Sequence, residues 1–289
     1  MDSRYYDSYE ESHIKVWARK VADDKKIHAD DATKADGPFY CPDTFDPLIV
    51  RKCIEKRDHF AYYGRQSQVY SPGETLLHKN CKIEICNLMK AKFPEGNWEI
   101  ERNIPLNHRK GSIEARPDIS GRIKKIPVVI EIQASTLKIS EIVARSENYK
   151  RLGCYVLWII PLKEELGNDE FRPRLFEKYL HEVYFGRVYY WVSYGLKLKP
   201  VHFDPVFRDI EVREWYEEGE LKTVGGYQRK LRTIFKPHYG NEVDISSDFG
   251  VELRPEFIPE NEKKAVPELL IFKDNLKYWW KTETNTSIQ

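Results

Sequence analysis

From Ile113 to Ser135 the chain reads I-E-A-R-P-D-I-S-G-R-I-K-K-I-P-V-V-I-E-I-Q-A-S. Two apolar, β-prone runs flank a turn-like centre that holds Gly121 and the Lys124–Lys125 pair. That pattern predicts a β-hairpin. Each run carries an acid where a sheet core should reject one: Asp118 lies between Pro117 and Ile119, and Glu131 interrupts Val128-Val129-Ile130 and Ile132. Upstream, Ser71-Pro72-Gly73-Glu74 reads as a helix start, with a capping serine, a first-turn proline and an acid three residues on. The helix should run to about Lys92, where Pro94-Glu95-Gly96 stops it, with Leu77, Cys81, Ile85 and Leu88 as its buried stripe. Glu74, His78 and Lys82 follow one another at i, i+4, i+8 on an adjacent face. Trp98–Ile104 reads as a strand. Ser140–Leu152 reads as a second helix, with Ile139, Ile142, Val143 and Ser146 inward and Gly153 as its cap. Cys154–Ile160 is a continuous apolar run, the kind buried on both faces. The middle of the chain therefore predicts αβββαβ, a mixed sheet with helices packed on it: fold class α/β (α+β).

Around this core the pattern changes. Residues 1–70 are polar at first and then β-prone around Leu48–Cys53, which predicts a small β-rich N-terminal module. Residues 71–162 form the core. Residues 163–289 form an aromatic-rich α+β region, with a helix expected over Phe171–Glu182 and strands over Tyr184–Val192 and Leu196–Phe203. The aromatics there could stack on bases, but in β-rich segments they belong more often to the core. Lys222, Arg229, Lys230, Arg232 and Lys236 fit either a phosphate track or an exposed helix face.

The 289 residues are 41% hydrophobic and 32% charged, enough for a sizeable core under a highly charged surface. The formal net charge of +1 gives no overall case for nucleic-acid binding, so any electrostatic footprint must be local. One local excess runs from Arg102 to Lys125, where Arg102, Arg109, Lys110, Arg116, Arg122, Lys124 and Lys125 surround the acids. Five cysteines without framework spacing suggest a reducing compartment. No apolar run reaches membrane-spanning length, and the opening M-D-S-R-Y-Y-D-S-Y-E shows no signal-peptide hydrophobic segment, so the cytoplasm is the expected location.

Glu131 and Gln133, two apart on a strand, should share a face. If Asp118 faces the same way, two carboxylates and an amide converge, an oxygen cluster suited to Mg²⁺. The competing reading is a buried acid paired with Arg116, Arg122 or Arg145, although Glu141–Arg145 is itself a well-spaced helix ion pair. Cys41, Cys53 and His59 invite zinc, but structural sites usually show close-set cysteine pairs, and Cys41 has none.

With these residues assembled, the chain resembles the competence protein CoiA-like family of the PD-(D/E)xK, restriction-endonuclease-like nuclease superfamily. The matching pieces are Y-C-P (Tyr40–Pro42), H-F-A (His59–Ala61), E-T-L-L-H-K (Glu74–Lys79), R-P-D-I (Arg116–Ile119), I-E-I-Q-A-S (Ile130–Ser135) and R…Y…G-C-Y-V-L-W-I (Arg145–Ile159). The resemblance implies a restriction-endonuclease-like core and a Mg²⁺- or Mn²⁺-dependent nuclease acting on DNA. Asp118, Glu131 and the carbonyl of Ile132 would hold the metal, with Glu74 as the acid of the first core helix. Gln133 stands where the superfamily more often has lysine. His78, Lys82, Arg116, Arg145 and Tyr149 are the candidates for nucleic-acid contact, and DNA uptake, recombination or defence against foreign DNA the implied roles. A protein partner or a second copy of the chain is a further candidate, and a catalytically idle nucleic-acid-binding or assembly subunit is the alternative. Two departures weigh against structural zinc in what would be a degenerate zinc-ribbon-like module. Asp43-Thr44 follow Cys41-Pro42 where the family often has a second cysteine, and Tyr62 replaces the last histidine of H-F-A-H.

Overall fold

The computed structural model describes residues 15–42, 46–53, 57–63, 65–66, 76–135, 137–192, 195–217, 220–258 and 265–281. The predicted helix start at Ser71–Glu74, and with it the candidate acid Glu74, lies outside the described residues.

Strands β1 (Trp17–Lys20), β2 (Lys26–His28), β3 (Phe39–Tyr40), β4 (Pro47–Arg51) and β5 (His59–Tyr62) build a five-stranded sheet in the order β2-β1-β3-β4-β5. It has its own apolar cluster, including Phe39, Leu48, Val50 and Phe60. The strand expected over Leu48–Cys53 ends at Arg51, and the Cys53 N–H donates instead to Asp58 at 2.9 Å. Cys41 Sγ accepts the Tyr62 hydroxyl at 3.7 Å, while Cys53 Sγ sits 3.7 Å from His59 Nδ1. Among the described residues, no group of three His, Cys, Asp or Glu side chains is arranged as a metal cluster.

After β6 (Arg65–Gln66) the chain runs through α1 (Leu76–Lys92), β7 (Glu99–Ile100), β8 (Ile119–Ile123), β9 (Ile126–Ile132), α2 (Ile139–Leu152) and β10 (Tyr155–Pro161). The αβββαβ order is present. Gly153, at φ 79, closes α2 by donating its N–H to the carbonyls of Lys150 and Tyr149. β10 pairs in parallel with β9 on one edge and with later strands on the other, and Val156–Pro161 are all buried, so both faces of the strand are covered.

Several expectations need correction. Leu88 is exposed, and the inward stripe of α1 is Cys81, Ile85 and Met89 with Cys86 beside them. The strand expected over Trp98–Ile104 stops at Ile100, because Glu101 adopts a left-handed backbone conformation (φ 51). Gly121 lies inside β8 rather than in the hairpin turn. The turn is made by Lys124, at φ 56, and Lys125. A side chain at Gly121 would overlap the buried Trp98 indole, so glycine lets that ring lie flat on the hairpin.

The remaining elements are β11 (Phe171–Arg172), α3 (Leu175–Val183), β12 (Val188–Trp191), β13 (Lys197–Ile210), β14 (Arg213–Glu217), β15 (Glu220–Val224), β16 (Tyr227–Tyr239), β17 (Val243–Asp244), β18 (Phe249–Arg254) and β19 (Leu269–Asp274). The helix expected over Phe171–Glu182 begins only at Leu175, where Glu177 caps it by accepting the Arg174 N–H at 2.6 Å. The next strand begins at Val188, not Tyr184, because Phe185 (φ 54) and Gly186 (φ 90) turn the chain first. The basic stretch Lys222–Phe235 is strand, not the helix face it resembled. A large sheet runs β6-β11-β16-β13-β12-β10-β9-β8-β7, with β19 also paired to β10. Hydrogen bonding therefore crosses residue 162, and β12 and β19 from the C-terminal region complete the core sheet. Tyr184, Tyr189, Tyr190 and Trp191 are buried, which bears out the core reading of these aromatics. The fold is α+β, and no helix among the described residues is long and apolar enough to cross a membrane.

Candidate active site

The hairpin sets the geometry. β8 and β9 pair antiparallel with Ile119 opposite Ile130, and the same register carried one step outward places Asp118 opposite Glu131. Directly opposed residues of an antiparallel pair project to one face, so the two acids converge. Asp118 Oδ2 accepts the backbone N–H of Ile132 at 2.9 Å, which fixes its rotamer.

Each acid meets a different helix. From α1, His78 Nε2 lies 3.4 Å and Lys82 Nζ 3.8 Å from Asp118 Oδ1. From α2, Arg145 holds Glu131 Oε2 at 2.5 Å and the Tyr149 hydroxyl donates to Oε1. Arg145 thus forms no pair with Glu141. It reaches across to β9, and its guanidinium lies 5.3 Å from the centre of the Trp158 ring. The Glu131 side chain is fully buried, whereas that of Asp118 is 17% exposed, so the pair opens to solvent on the Asp118 side.

Burial is the largest influence on Glu131 and pushes its carboxyl up to about 8. Arg145 and the Tyr149 hydroxyl pull the other way, and the charge on Asp118 adds to the rise. Asp118 moves down despite burial, because the His78 contact, the Ile132 N–H and the Lys82 charge together outweigh it. The two facing carboxyls therefore shift in opposite directions, Glu131 up and Asp118 down. Tyr149 is raised by burial and by Glu131. A raised carboxyl means that the unfolded chain binds fewer protons, so stability falls as pH rises from about 5 through 8. In chelator-treated protein, Glu131→Gln should flatten that loss, giving a smaller drop in melting temperature between pH 6 and pH 9 than the wild type. Equal drops would refute the shift.

The remaining candidates are placed as follows. Gln133 is buried, and its amide donates to the Ser135 carbonyl at 2.5 Å, turned along the chain rather than bonded to either acid. Arg116 pairs with Glu101 at 2.5 Å. Glu101, absent from the sequence-based candidates, accepts Lys82 at 2.6 Å on its other oxygen. Its backbone N–H donates to the Asp118 carbonyl at 3.0 Å. The five residues considered for nucleic-acid contact thus all face acids in this structure.

A family model described as "Competence protein CoiA, nuclease-like domain" matches residues 74–194. Competence protein CoiA of Bacillus subtilis (strain 168) is 27% identical over 124 residues, which cover 42% of this chain and 31% of that relative. Residues 74–194 are thus similar to the nuclease-like domain of competence protein CoiA. The chain spans less than a third of the curated relative's length, and the residues matched by the family model contain α1, the Asp118–Glu131 hairpin, α2 and β10. No solved structure matches the chain. The segment that resembles the CoiA nuclease-like domain therefore contains the acid pair described above.

The donor set fits a hard divalent cation. Two carboxylates, with the adjacent Ile132 carbonyl, offer only oxygen, and water or a phosphate completes such a shell. Arg145 and Tyr149 take one lone pair on each Glu131 oxygen, and a carboxylate has about four in all. A divalent cation would also offset the burial and the Asp118 charge that raise the Glu131 carboxyl.

Proposed function

We propose that this chain is a Mg²⁺-dependent nuclease of the PD-(D/E)xK, restriction-endonuclease-like type that hydrolyses DNA phosphodiester bonds. The observation that carries the reading is the register that sets Asp118 opposite Glu131 at the solvent-facing end of a buried hairpin. Asp118, Glu131 and the Ile132 carbonyl would hold the metal, with Glu74 as a further candidate acid. When bound, a divalent cation lowers the pKa of its water and offsets charge on the phosphate. The chain's own residues do the rest. Ile132 N–H locks Asp118, and Arg145 with Tyr149 keeps Glu131 in one orientation. Gln133 is neutral and turned to Ser135, so it cannot balance a hydroxide as a lysine would, which leaves that task to other cations of the site.

The relative's name, a competence protein, supports a role in DNA uptake and recombination, and defence against foreign DNA uses the same chemistry. The Arg145–Tyr149 hold on both Glu131 oxygens favours one alternative, a nucleic-acid-binding or assembly subunit that keeps the fold without turnover. Purified protein incubated with linear, circular and single-stranded DNA, in Mg²⁺ or Mn²⁺ and in chelator, separates the two. Metal-dependent cleavage of any substrate supports the nuclease. DNA retained but uncut in every metal supports the subunit.

A further inference from the structure

Two costly features meet beside Asp118. Lys82 occupies a buried position on α1, next to the core residues Cys81, Ile85 and Cys86, and its side chain is only 5% exposed. A lysine there loses hydration that a leucine or methionine would not need. Glu101 adopts a left-handed backbone conformation, a strain that non-glycine residues keep mainly where the surroundings enforce it. The surroundings are specific. Glu101 N–H donates to the Asp118 carbonyl, while Lys82 and Arg116 bind its two carboxylate oxygens at 2.6 and 2.5 Å. Held from three sides, Glu101 fixes the Lys82 ammonium 3.8 Å from Asp118 Oδ1, at the side of the pair that faces solvent.

We propose that Lys82 is the resident catalytic cation of this site, contacting the scissile phosphodiester, and that Glu101 is its positioning residue. The inference rests on the nuclease reading. It gives to a helix lysine the charge that Gln133 lacks at the end of β9. The ligand class is a phosphodiester anion, whose non-bridging oxygens gain charge in the transition state and are best met by a fixed donor in a partly dehydrated site. Arg116, anchoring Glu101 from its exposed side, keeps that acid from following Lys82 outward.

The test is steady-state cleavage by the full chain and the variants Lys82→Met, Lys82→Arg and Glu101→Gln, each with a thermal melt. The expected result is a loss in kcat of about 100-fold for Lys82→Met with KM changed only a few-fold. Lys82→Arg should recover part of it, and Glu101→Gln should lower kcat by about tenfold, since it frees the ammonium without removing it. Lys82→Met cleaving within twofold of wild type overturns the proposal. So does a loss confined to KM. Where Lys82→Met melts well below wild type, Glu101→Gln decides: unchanged kcat overturns the assignment. An inactive wild type, by contrast, refutes the nuclease reading itself.

Discussion

Asp118→Ala should lower metal-dependent DNA cleavage by about 1000-fold or more while leaving the fold intact. The magnitude follows from the several kcal/mol that a bound cation contributes to transition-state charge, at about 1.4 kcal/mol per tenfold in rate. The fold should survive because Asp118 sits just before β8 and is partly exposed, and its removal relieves the like charge on Glu131. Gel-based cleavage at matched protein concentration, with a circular-dichroism melt, checks both halves. Cleavage within tenfold of wild type would remove Asp118 from the chemistry.

Asp274→Ala should be the most damaging stability variant. Asp274 is fully buried at the end of β19. One oxygen accepts Arg187 at 2.5 Å and the Leu276 N–H at 2.7 Å, and the other accepts the Tyr189 hydroxyl at 2.5 Å. Arg187 is also buried, so truncation strands a guanidinium with no counter-charge, a loss of about 3–5 kcal/mol. Because β19 completes the sheet beside β10, the urea midpoint should fall sharply and in one transition. A change under about 1 kcal/mol would show that the ion pair is dispensable.

The core was legible because its signals are local. Acids interrupting apolar runs marked the hairpin, Pro94 and Gly96 ended α1, and Gly153 ended α2. Glu101 was not legible, because its recruitment depends on a left-handed turn by a non-glycine residue, which no pattern announces. The sequence left the partner of Arg145 open between Glu131 and Glu141. Glu141 lies one helical turn away, but the buried Glu131 has the greater need for a cation, and tertiary packing overrides the i, i+4 preference. In β15 and β16 dense charge along the sequence obscures the alternation that identifies a strand, so Lys222–Phe235 read equally well as helix. The extent of the sheet was hidden too, since β19 joins β10 across more than a hundred residues.

The central claim is that Asp118 and Glu131 together hold one divalent cation. Titration of Mn²⁺ into the full chain, followed by the paramagnetic resonance of free Mn²⁺, tests it most directly. The account predicts one saturable site in the wild type that disappears in Asp118→Asn and in Glu131→Gln. Binding of equal affinity in all three proteins, or none in the wild type, would contradict it.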